Sequence, residues 1–102
     1  MQYGLAEKTI LQIQLVFSRC PQITKAILYG SRAKGNFKNG SDIDLTLLGE
    51  NLNLSILNQI LYELDELLLP YTMDISIFYQ ITNPGLLEHI ERVGLVFYER
   101  KV

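Results

Sequence analysis

The chain has a single cysteine, a single histidine and three prolines, and no apolar run of membrane-spanning length. One cysteine, Cys20, excludes an internal disulfide and fits a reducing compartment, so a cytoplasmic location is expected. Cys20 itself reads as a small apolar side chain of the core rather than as a nucleophile. No stretch approaches the roughly 20 apolar residues of a membrane helix. The segment Met1–Lys8 lacks the basic and apolar parts of a secretory leader, and no membrane association is expected. Charge of one sign is scarce too: 9 Lys and Arg against 11 Asp and Glu give a net charge of −2. No general basic surface for nucleic acid is indicated, which leaves open only a local basic patch. Repeats and low-complexity tracts are missing. At 102 residues and 48% hydrophobic content, the expectation is one globular domain over residues 1–102, without room for a second, substrate-binding one.

What the chain does have is regular alternation of helical and strand patterning. Ile10, Ile13, Val16, Phe17 and Cys20 fall at helical spacing, predicting a helix from about residue 5 to 19 that Pro21 ends. Ile23 to Tyr29 reads as a strand, Asn39-Gly40 as a tight reversal, and Asp42 to Leu48 as a second strand beside the first. Leu57, Ile60, Leu61, Leu64 and Leu68 share a face of a helix predicted over residues 54–69, ended by Pro70. Met73 to Phe78 returns as a strand. Asn83 and Pro84 open a last helix that Gly94 closes, and Leu95 to Glu99 forms a short final strand. The order predicts an α/β (α+β) domain, a mixed sheet flanked by helices with its site at one edge. His89 reads as a surface residue.

Two short stretches carry chemistry. In Leu28-Tyr29-Gly30-Ser31-Arg32-Ala33-Lys34-Gly35 an apolar strand runs into a Gly-Ser turn. There Gly30 admits backbone angles closed to other residues, Ser31 adds a hydroxyl and an N–H, and Arg32 adds a fixed cation able to grip phosphate. The P-loop pattern is absent, since Gly35 is followed by Asn36 and Phe37. In Ser41-Asp42-Ile43-Asp44-Leu45 two carboxylates stand at i and i+2, on one face of a strand. At about 6.6 Å and an effective dielectric near 20, two such charges repel by roughly 2.5 kcal/mol. Solvent exposure, protonation or a hard divalent cation relieves that repulsion. Taken alone, Asp-x-Asp also describes an ordinary solvent-facing strand. Lys34 and Lys38 read either as solvated loop lysines or as triphosphate contacts, with Lys34 the better placed. Phe37 reads either as a base-stacking ring or as a loop anchor.

Together, Gly30-Ser31 and Asp42-Ile43-Asp44, ten residues apart, resemble the signature of the DNA polymerase beta-like nucleotidyltransferase superfamily. The motifs Gly-Ser-Arg-Ala-Lys-Gly and Ser-Asp-Ile-Asp-Leu most resemble its minimal nucleotidyltransferase (MNT) group, the antitoxins of HEPN/MNT pairs. The resemblance covers about residues 28 to 48. It implies a third acidic residue on a later strand, which matches Asp74 in Tyr71-Thr72-Met73-Asp74-Ile75. It further implies that Asp42, Asp44 and Asp74 are catalytic and hold Mg2+, two ions being expected. Gly30 and Ser31 would then bind nucleotide phosphates, with Arg32 and Lys34 as further nucleotide contacts and ATP as the substrate.

By the same resemblance the expected activity is Mg2+-dependent transfer of AMP from ATP to a tyrosine of a HEPN-domain toxin, a type VII-like antitoxin function. The acceptor pocket of so short a chain must come from a small loop, a homo- or hetero-oligomer, or the partner. Two other readings stand beside it: a non-catalytic module of nucleotide-binding fold that silences its partner by occlusion, and nucleotidyl transfer to a small molecule.

Overall fold

Helical spacing of Ile10, Ile13, Val16 and Phe17 produces α1 (Glu7–Ser18), which buries all four side chains. Glu7 in its first turn complements the helix dipole. In this computed structural model, which describes residues 1–101, the elements that follow are β1 (Lys25–Tyr29), α2 (Gly30–Lys34), β2 (Ile43–Leu48), α3 (Leu54–Asp65), β3 (Met73–Ile77), α4 (Pro84–Val93) and β4 (Leu95–Glu99). The sheet order is β3-β2-β1-β4. β1 runs antiparallel to both β2 and β4, whereas β2 and β3 are parallel and joined through α3. The end of β1 and the beginnings of β2 and β3 therefore meet at one end of the sheet.

Strand alternation divides the sheet into two unlike faces. Ala26 and Leu28 of β1, Ile43, Leu45 and Leu47 of β2 and Ile75 of β3 join the buried cluster with α1 and with Ile60 and Leu64 of α3. The opposite face carries Ile27, Tyr29, Asp44, Thr46, Asp74 and Ser76, placed side by side by register: Tyr29 opposite Asp44, Asp44 opposite Asp74, Thr46 opposite Ser76. α4 packs against β1 on this second face, where a Cβ on Gly94 would strike Ile27 and the Ile90 carbonyl. Cys20 is half-buried against the main core, with its thiol on Gln22 Oε1.

One boundary departs from the sequence reading. α3 ends at Asp65, short of the predicted residue 69. Leu67 N and Leu68 N donate to Leu64 and Asp65 carbonyls in a tightened turn, and Leu68 adopts φ +55, turning its side chain out at 87% exposure. Pro70 disfavours helical angles at Leu69 and offers no N–H, so the helix unwinds a turn ahead of it. At its start, α3 is capped as its sequence allows, Asn53 Oδ1 accepting from Ile56 N at 2.9 Å.

Candidate active site

Three segments converge at the shared strand end. β1 delivers Tyr29 and then Gly30 at φ +74, a left-handed conformation that strains any residue with a side chain. A Cβ on Gly30 would also collide with Asp44 Oδ2. Glycine is thus required so that the turn and the Asp44 carboxylate can lie against each other. Ser31 follows, half-buried, and its hydroxyl makes no hydrogen bond to protein among the described residues.

The carboxylates come from the two neighbouring strands. Asp44 lies within β2, Asp42 one residue ahead of it, and Asp74 directly across from Asp44 on β3. None of the three forms a salt bridge among the described residues, whose ion pairs are Arg19–Glu63, Lys25–Glu99 and Arg92–Glu88. Burial pushes the Asp44 carboxyl above its ordinary range, and the negative charges of Asp74 and then Asp42 add to the effect, with His89 acting in the opposite sense. The Tyr29 hydroxyl is pushed up as well, by burial first; a hydrogen bond with Ser76 opposes this, while Asp74 and Asp44 reinforce it.

This donor set suits a hard divalent cation: oxygen ligands carrying negative charge with no salt-bridge partner among the described residues. No three Asp, Glu, His or Cys side chains converge on one ion-sized point among the described residues. Mg2+ commonly binds through one or two carboxylates and completes its shell with substrate phosphates and water, so a carboxylate pair is a sufficient protein contribution. A hollow of about 760 Å³ beside the end of α3 is lined by Leu61, Leu64, Leu68, Tyr71 and Met73 and includes neither the turn nor the carboxylates.

Two readings of the sequence need revision, one of Arg32 as a nucleotide contact and one of His89 as a surface residue. Arg32 is 2% exposed, and its guanidinium is occupied by the protein itself: Nε and Nη2 donate to the Ser41 carbonyl at 3.1 and 2.9 Å, and Nη1 to the Tyr3 carbonyl at 2.9 Å. It lies between the rings of Phe37 and Tyr71, 5.3 and 5.0 Å from their centroids. Arg32 therefore does not clamp phosphate; it ties the N-terminal turn and the β3 approach to the residue immediately before Asp42. Phe37 is the loop anchor, its ring lying against Gly4. Lys34, at the end of α2, is exposed.

The second revision concerns His89, which is not a free surface side chain. Its Nε2 accepts a hydrogen bond from Gly30 N at 3.1 Å, and its ring stands edge-on to Tyr29 with centroids 6.1 Å apart. The Gly30 N–H is thus engaged by His89, leaving the N–H and hydroxyl of Ser31 as the groups this turn can offer a phosphate. Nothing near His89 in sequence marks it, because only the docking of α4 on β1 brings it to the turn. Tyr29 was legible by strand parity: Leu28 and Leu45 face the core, so their neighbours Tyr29 and Asp44 must share the other face.

The family described as Polymerase beta, Nucleotidyltransferase matches residues 11–102. No curated protein sequence matches the chain. Among solved structures, a toxin–antitoxin complex with AMP-PNP superposes with a TM-score of 0.69 at 19% identity, covering 95% of this chain and 76% of that one. A mutant MntA–HpeT toxin–antitoxin superposes at 0.68 and 17% identity, with the same coverage. A complex of tri-AMPylated Shewanella oneidensis HEPN toxin with MNT antitoxin gives 0.67 at 16% identity, covering 92% of this chain and 72% of that one. At these identities the likeness is one of fold.

Proposed function

The chain belongs to the polymerase beta nucleotidyltransferase family, and from that premise we propose that it transfers AMP from ATP to a hydroxyl of a protein partner, a tyrosine of a HEPN-type toxin, as a cytoplasmic antitoxin. The observation that carries the reading is the facing pair Asp44 and Asp74, with Asp42 beside them and no salt bridge to any of the three among the described residues, set against the Gly30-Ser31 turn. The fold likeness to a toxin–antitoxin complex solved with AMP-PNP and to a complex of MNT antitoxin with AMPylated HEPN toxin supports both the nucleotide and the acceptor class.

In this reading the residues divide the work by position. Ser31 Oγ and N–H hold the outer phosphates, and Lys34, exposed at the end of α2, is assigned to the solvent-facing triphosphate oxygens. Asp42 and Asp44, next to the turn, would hold Mg2+, and Asp74 would complete the set. When bound, Mg2+ supplies charge neutralisation of the triphosphate and a lowered pKa for the attacking hydroxyl. The acceptor oxygen bonds to the α-phosphorus, the bond from that phosphorus to the bridging oxygen breaks, and pyrophosphate leaves with those electrons. Asp74, exposed at the strand start, receives the acceptor proton in this reading. Arg32 contributes at one remove, by holding the Ser41 carbonyl and with it the approach to Asp42.

The test is to mix the purified chain, Mg2+ and ATP with the product of its neighbouring gene and weigh both proteins intact. A gain of one or more AMP units on the partner, lost in Asp42→Asn, is the expected result. A tight complex that silences the partner with no mass change would instead assign occlusion without turnover, and label on a small molecule would assign small-molecule transfer.

A further inference from the structure

We propose that His89 is a positioning residue for nucleotide: from α4 it holds the Gly30 turn in the geometry that receives the phosphates. This rests on the nucleotidyl-transfer reading above. The Gly30 N–H donates to His89 Nε2 at 3.1 Å, which makes Nε2 the acceptor nitrogen of the ring in this contact. Gly30 is also the residue whose left-handed φ of +74 lets Asp44 lie against the turn. One hydrogen bond from a different helix thus fixes the residue on which both the phosphate side and the carboxylate side of the site depend.

The support for His89 is itself rigid. α4 begins at a capped end, Asn83 Oδ1 accepting from Leu86 N at 3.0 Å with Pro84 at the first helical position, and it buries Ile90. The imidazole stands edge-on to Tyr29, with an interplanar angle of 82°, and Tyr29 pairs in register with Asp44. His89 therefore touches the turn by a hydrogen bond and the strand end by a ring contact, without being one of the carboxylate ligands. It acts through Gly30. Its effect belongs to the affinity for the triphosphate, since a turn released from His89 must be ordered by the ligand instead.

Two substitutions separate this role from mere packing. His89→Phe keeps a ring against Tyr29 and removes the acceptor; His89→Gln removes the ring and keeps an acceptor oxygen able to reach the Gly30 N–H. Binding of a fluorescent ATP analogue in Mg2+ is measured for both and for the wild type, alongside melting curves and, with the partner present, KM and kcat. The expected result is about tenfold weaker nucleotide binding and a correspondingly raised KM in His89→Phe, with kcat nearly unchanged and His89→Gln restored to within about threefold of wild type. Equal affinity in wild type and His89→Phe would overturn the role of His89 while leaving the function standing. So would a loss that tracks ring removal, with His89→Gln worse than His89→Phe. Absence of nucleotide binding by the wild type would overturn the functional reading first and this one with it.

Discussion

On one side of β2, Ile43, Leu45 and Leu47 are wholly buried beneath α1 and α3, while on the other Asp44 faces Asp74 with no cation beside it among the described residues. Arg32 presents the same contrast from the cationic side: it is one of the most deeply buried charges in the chain, and its three nitrogens all reach backbone carbonyls. The buried positive charge of Arg32 thus serves the fold, and the negative charge of the carboxylates is left available. A buried guanidinium without such acceptors would be severely destabilising, whereas carboxylates at an open strand end cost only a modest repulsion. The difference separates the residues that hold the domain together from those free to act on a ligand.

The sharpest way to break the comparison is to neutralise the free side. Asp44→Asn should lower AMP transfer by on the order of 10³-fold or more, read by partner mass or label incorporation, while the fold persists. Next comes the satisfied side. Arg32→Met should destabilise the apo-protein by about 3 kcal/mol, because the Ser41 and Tyr3 carbonyls lose their donor, read as a drop in melting temperature. The fraction still folded should bind nucleotide much as before. An arginine that clamped phosphate would give the reverse pattern, with normal melting and poor binding.

Between these extremes lies Gly30→Ala, which places a methyl group on Asp44 Oδ2 at a left-handed backbone position. It should cost about 1–2 kcal/mol of stability together with a marked loss of activity, whereas Gly35→Ala, with open space around its Cβ position, should cost only the backbone strain. The smallest effect is a matter of pH. The Asp44 carboxyl sits above its ordinary value of 3.8 in the folded state, so folding favours its protonated form. Its contribution is fully present below that value and is lost as pH rises through the raised one. At neutral pH, Asp44→Asn should therefore melt slightly higher than wild type, by about 0.5 kcal/mol after solvent screening, and the gap should close as pH falls toward 4. A variant that melts lower at neutral pH would mean that Asp44 is compensated after all.

Most of the fold was legible in order and type, because the apolar periods of α1, α3 and α4 and the alternation of β2 and β3 agree with the surfaces these elements bury. Asp42 and Asp44 stood out because an acidic pair at i, i+2 beside a Gly-Ser turn has no stabilising purpose of its own. The end of α3 was misplaced, since five apolar residues at helical spacing obscured the constraint that Pro70 exerts backward on Leu69. Arg32 and His89 were misplaced for a related reason: spacing along the chain gives the direction of a side chain within its element, but not which element lies opposite.

The sequence by itself determined the elements, the face on which Asp44 lies and the signature by which the family is known, since each depends on residues within about twenty positions of one another. Only the tertiary structure decided that β3 pairs in parallel with β2 and sets Asp74 against Asp44, that Arg32 turns inward to Ser41 and Tyr3, and that α4 brings His89 to Gly30. Those contacts span 29 to 59 residues in sequence for the Tyr3–Arg32 and Gly30–His89 bonds. They arise from how amphipathic faces stack around one sheet, which no local pattern of residues specifies.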